Sequence, residues 1–175
     1  KIKVMLDQKV FKAGYEVSRM NEIAAGEKGD CAVRAFANAF EISYNTAHEF
    51  VKDVFKRKNR KGTFNVNPIL KGMNEVTFKA EGQLDLFAPV MENKFTIKHM
   101  GDRPKDGGTL KNESYTHKAV AYTVKSFMQK FTRGTYFIIV HKHALVIKNG
   151  VLIDNGNYRF NGYRRPVESA FKIAK

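Results

Sequence analysis

Gly29-Asp30-Cys31-Ala32-Val33-Arg34-Ala35-Phe36-Ala37-Asn38-Ala39-Phe40 sets the expectation for the whole chain. Ala32, Ala35, Phe36, Ala39 and Phe40 recur at the spacing of one helix face, which predicts an amphipathic helix. Asp30 is placed to cap it, its carboxylate accepting the free amide hydrogens of the first turn. The small alanines let the helix run close against a neighbouring sheet. The only cysteine of the chain then stands at a helix N-terminus, where the positive end of the dipole favours thiolate over thiol. Two roles fit such a residue, a small buried hydrophobe or a nucleophile.

A nucleophile needs a base, and the segment from Thr135 to Asp154 offers one. Thr135 to Val140 is rich in β-branched and aromatic residues and predicts a buried strand. Further on, Asn149-Gly150 signals a type I′ hairpin turn. With those two residues in the turn, Lys148 pairs with Val151, Ile147 with Leu152, Val146 with Ile153 and Leu145 with Asp154. Side chains two apart share a face, so His143 becomes the diagonal neighbour of Asp154. A carboxylate beside an imidazole fixes its tautomer and favours its charged form, as a thiolate–imidazolium pair requires. Asn155 takes the place of Asp154 if the turn differs by one residue. His141 has the same parity as His143 but lies one step further from the acid, so it is the weaker base. A lone cysteine with a distant histidine and aspartate is the pattern of a thiol enzyme.

The rest of the chain is read around these two segments. Ser43 caps a second helix from about Tyr44 to Lys58, with His48 on its flank, more suited to a boundary position than to ligation. Asn67-Pro68 opens a short helical turn ending at Gly72. Ile2 to Leu6, Lys9 to Val17, Thr77 to Lys79, Leu84 to Val90 and Lys94 to Lys98 suggest short strands. Ser114 or Thr116 opens a third helix reaching Phe131, with His117 in its first turn. His99 is undistinguished. The 175 residues are expected to form one domain, 1–175, with a basic C-terminal segment at about 158–175.

The formal net charge of +14 points to a polyanionic contact such as nucleic acid. Two segments concentrate it. Lys56, Arg57, Lys58, Arg60 and Lys61 form a basic run, while Arg159, Arg164 and Arg165 interleave with aromatic residues that could stack on bases. No apolar run is long enough to span a bilayer, and no signal-peptide pattern opens the sequence. One cysteine makes no intramolecular disulfide and no thiolate zinc site, so no metal or cofactor is expected, and a reducing compartment is.

Asp-Cys-x-x-Arg-Ala at Asp30 to Ala35, Arg-Lys-Gly-Thr at Arg60 to Thr63, and Gly-Thr-Tyr at Gly134 followed by the His-Ala-x-x-Ile-x-x-Gly-x-x-x-Asp at His143 to Asp154 together resemble small papain-like cysteine peptidase-like proteins of the phage type. The resemblance implies an α+β fold with N-terminal helices packed on a mostly antiparallel β-sheet, and a site at their junction. It also implies Cys31 as nucleophile, His143 as general base and Asp154 as orienting group. A peptide or protein substrate follows, basic or chain-terminal in character, met in a host cytoplasm or a virion. One departure stands out: papain-like enzymes place a glutamine or asparagine shortly before the cysteine, and Ala24 to Asp30 contain neither. Asn21 serves only if the loop folds back. A catalytically inactive basic descendant that binds nucleic acid or is packaged with phage DNA, or a host-protein-binding effector, is the alternative.

Overall fold

The apolar faces anticipated from the sequence close on the two sides of a six-stranded antiparallel sheet, in a computed structural model that describes residues 26–79, 92–103, 122–154 and 164–175. The fold class is α+β. Helices α1 (Cys31–Phe40), α2 (Tyr44–Val54) and α3 (Val66–Lys71) come first. Strands β1 (Glu75–Lys79) and β2 (Glu92–Asp102) follow, then α4 (Val124–Lys130), β3 (Thr135–Val140), β4 (His143–Lys148), β5 (Val151–Ile153) and β6 (Ser169–Ala174). The sheet order is β1-β2-β6-β3-β4-β5, so the C-terminal strand is central.

Alternation along the strands sorts side chains between two cores. Phe137, Ala144, Val146, Phe171 and Ile173 pack with α1 and α2, whereas Tyr136, Ile138, Leu145, Ile147 and Leu152 pack with Val124, Phe127 and Met128 of α4. Helices therefore cover both faces. Phe36 is the hub of the first core, its ring 4.6 Å from Phe137, 5.1 Å from Phe55 and 5.4 Å from Phe50. Alanines 32, 35 and 39 line the buried side of α1, and their lack of bulk brings the helix against β4.

The β4–β5 register is the one expected: Val146 pairs with Ile153, Ile147 with Leu152 and Lys148 with Val151. Asn149 and Gly150 both take positive φ, as a type I′ turn demands. The Asn149 side chain also accepts the Gly134 amide at 2.9 Å, tying this turn to the start of β3.

Local structure departs from expectation in four places. Asp30 makes no side-chain cap on α1, because its carboxylate is taken by Arg34 and Tyr44. The second helix, capped by Ser43 as expected, stops at Val54 instead of Lys58. Lys56 adopts φ 54°, which breaks the helix and turns Phe55 and Arg57 inward. The third helix begins at Val124, where Thr123 and Ser126 form a capping box and Thr123 bridges to Pro166, so it does not extend unbroken from Ser114 or Thr116. His141 lies in the two-residue β3–β4 turn with Lys142, outside the strand that was expected to carry it. The suggested strands at 2–6, 9–17 and 84–90, together with His117, lie outside the described residues.

Stability should track this layout. Phe36→Ala should lower the unfolding free energy by about 3–5 kcal/mol in urea denaturation. Phe64→Ala, at a side chain 75% exposed, should change it by less than about 0.5 kcal/mol. Similar losses at the two positions would contradict the assigned core.

Candidate active site

Cys31 is the first residue of α1, half-buried, and α1 lies across β4. His143 is the first residue of β4, released by the tight turn at His141-Lys142. Asp154 follows the last residue of β5, one residue beyond the Val146–Ile153 pair. A helix N-terminus and the open end of the β4–β5 hairpin thus converge. His143 Nε2 lies 2.7 Å from Asp154 Oδ1, with the two side chains only 9% and 4% exposed. His143 is hydrogen-bonded to the Cys31 thiol as well.

The electrostatics follow from these contacts. Burial disfavours ionisation of Cys31, but the hydrogen bond and charge of His143, with the amides of Ala144 and Ala32, outweigh it and lower the thiol pKa. For His143, burial favours the neutral ring, yet the bonds and charges of Asp154 and Cys31 win and raise its pKa to about 9. Thiolate and imidazolium stabilise each other, and Asp154 holds the imidazolium in place. This is the arrangement of an activated sulfur nucleophile with an oriented acid–base partner.

Two further carboxylates support Cys31 from behind. Asp30 Oδ2 accepts from Arg34 Nε at 2.8 Å and from the Tyr44 hydroxyl at 2.8 Å. Burial, then the bond and charge of Asp30, push the Tyr44 pKa up, so its hydroxyl stays a donor. Arg34 offsets a negative charge that would otherwise sit one residue from the thiolate and oppose it. The signal was in the sequence: Arg34 stands four residues after Asp30, on the same side of the helix.

Glu27 organises the loop before the cysteine. Its carboxylate meets Arg57 at 2.6 Å and His48 at 3.0 Å, and accepts the Arg60 amide at 3.0 Å. Burial works against its ionisation, but the bonds to Arg57 and His48 and the Arg57 charge prevail and lower its pKa to about 2. Arg57 is therefore a buried structural cation, 5% exposed, which removes it from the expected polyanion surface. Lys56, Lys58, Arg60 and Lys61 remain exposed.

The other predicted residues are less engaged. The His141 side chain is 74% exposed, 3.4 Å from Glu168. Arg164 is exposed and Arg165 half-buried, while Asn155 and Arg159 lie outside the described residues, as does Asn21. A second polar cluster was not anticipated. His99 Nε2 lies 3.2 Å from Asp102 Oδ1 and 3.3 Å from the fully buried Ser169 hydroxyl. Serine and aspartate share one ring nitrogen there, so no proton can pass through the ring between them, and the cluster is structural. Among the described residues no group of three or more His, Cys, Asp or Glu side chains could hold a metal, and no helix is long and apolar enough to cross a membrane.

Two measurements check these environments. The His143 ring should lose its proton near pH 9 in nitrogen-15 NMR, and both Asp154→Asn and Cys31→Ala should move that midpoint toward 6.5. Because the folded pKa is raised, stability linked to His143 is complete below about pH 6.5 and lost as pH rises through about 9. The Glu27 effect has the opposite sign: its stability is present above pH 4.5 and lost as pH falls toward 2. Glu27→Gln should therefore cost about 3 kcal/mol at neutral pH and flatten acid unfolding over that window. A variant whose acid unfolding matches the parent would refute the cluster's role.

No family model matches the chain, and no curated protein or solved structure matches it, so the reading of the site rests on its own geometry and chemistry.

Proposed function

We propose that this chain is a thiol hydrolase, a cysteine peptidase on the papain-like plan and of the phage type, working on a peptide or protein substrate without a cofactor. The observation that carries the proposal is the joining of Cys31, His143 and Asp154, three residues scattered over 124 positions of sequence, into one hydrogen-bonded line. The chain order of cysteine on the first core helix, then histidine and aspartate on adjacent strands, agrees with that plan.

The thiolate of Cys31 attacks the substrate carbonyl carbon, and the carbonyl π-electrons move onto oxygen. Collapse expels the leaving amine, which takes its proton from the His143 imidazolium, and leaves a thioester on Sγ. The neutral imidazole then removes a proton from water, hydroxide adds to the thioester carbon, and the acid product departs as thiolate and imidazolium re-form. Asp154 stabilises the charged ring at both ends of the cycle. The amides of the first helical turn have no intrahelical acceptors, so the Cys31 N–H is one donor for the oxyanion.

Cys31 should react with iodoacetamide well below neutral pH, on a profile shifted from that of a free thiol near 8.5. His143→Ala should restore the free-thiol profile and cut hydrolysis of a fluorogenic peptide library by about 10⁴-fold or more. His141→Ala should leave both near the parent. Asp154→Asn should fall between, because an amide orients the ring without stabilising its charge. An ordinary thiol profile in the parent would overturn the proposal.

A further inference from the structure

A cavity of about 300 Å³ opens beside the loop that follows α2. Phe55 and Phe64 give it apolar walls, Lys56, Lys58 and Lys61 give it cations, and Gly62 supplies bare backbone. The chemistry of this lining is not explained by folding. Among the described residues Phe64 is the large hydrophobic side chain left exposed, at 75%. The three lysines are exposed and form no ion pair among the described residues, although other acids pair with Arg34, Arg57, Lys71, Lys94 and Lys148. Arg57 also lines the recess, with its guanidinium bound to Glu27.

The cavity wall also touches the nucleophile's own segment. Gly29, two residues before Cys31, takes φ +64°, and a Cβ there would lie 3.1 Å from the Gly62 amide nitrogen. Backbone meets backbone with no side chain between. The loop is held in that position from below by Glu27, which binds both Arg57 and the Arg60 amide. Through Gly62, this cationic, aromatic-walled recess therefore borders the segment that carries Cys31.

We infer that this recess is a substrate subsite for an acidic side chain flanked by an apolar one, so that the preferred substrate segment is acidic. This rests on the hydrolase reading above and replaces the basic segment expected from sequence. Three lysines with no ion pair among the described residues repel a basic segment and attract a carboxylate, and the exposed Phe64 offers an apolar contact to the neighbouring side chain. The recess fits one or two side chains, the scale of a specificity pocket.

The test separates the recess from the chemistry by using binding as its readout. Fluorescein-labelled peptides alternating leucine with glutamate or leucine with lysine, and a short oligothymidine, are titrated by anisotropy into the Cys31→Ala chain. The glutamate peptide should bind about tenfold more tightly than the lysine peptide, and Lys58→Glu with Lys61→Glu should remove that preference. Phe64→Ser should weaken the glutamate peptide about threefold with its charge preference retained. In the parent chain, saturating glutamate peptide should slow alkylation of Cys31 several-fold. Equal affinity for the two peptides overturns the inference. So does oligothymidine binding that depends on the same lysines while the peptide gives no protection of Cys31, which would make the recess a nucleic-acid contact. An ordinary alkylation profile with intact peptide preference would instead sink the hydrolase reading and leave the recess standing.

Discussion

The close approach of α1 to β4 is the constraint from which the rest follows. Ala32, Ala35 and Ala39 let the helix settle on the sheet, and Phe36 anchors it by reaching Phe137 on the neighbouring strand. Only at that separation can a side chain as short as cysteine meet a histidine at the mouth of β4. Larger residues on the helix face would lift Sγ away from His143 while preserving every strand pairing. The packing of the first core is thus also the positioning device of the site, which is why the same twelve-residue stretch carries both.

In a chain of net charge +14, acids are scarce, and their placement is informative. Three sit in or beside the site. Asp154 holds His143, Asp30 holds Arg34 and Tyr44, and Glu27 holds Arg57 and His48. A buried charge is tolerated only when paired and hydrogen-bonded, and each of these is. Pairs of this kind contribute little net stability compared with well-packed apolar groups, so their value lies in fixing geometry. Here they fix the imidazole, the N-terminus of α1 and the loop around Gly62.

Much of this was legible in residue order because the deciding signals are local. Asn149-Gly150 determines a turn, the turn determines the register, and the register places Asp154 beside His143. Periodicity marked α1 and the capping serine marked α2. The failures share a cause, which is that contacts distant in sequence override local preference. Asp30 has the right identity for a cap, but Tyr44, fourteen residues on, competes for its carboxylate and wins. Arg57 looks like one cation in a solvated run, and only Glu27, thirty residues earlier, draws it inside. The helix end at Val54 follows from the same pull, since Lys56 must take a left-handed conformation for Arg57 to turn inward. No period or propensity encodes such pairings.

The two halves of the site are not independent. Burial acts on Cys31 and His143 in the same direction, toward the neutral thiol and neutral ring, and each favours the charged form of the other against it. Asp154 breaks that symmetry. It adds a negative charge on the far side of the imidazole at 2.7 Å, in a position too enclosed for water to screen it, so the proton settles on the ring. A glutamine or asparagine there would orient the ring equally well but leave the ion pair to be held by its own attraction against burial. The choice of a carboxylate therefore matches a thiol that is more enclosed than exposed, and a helix whose N-cap residue, Asp30, is paired with Arg34.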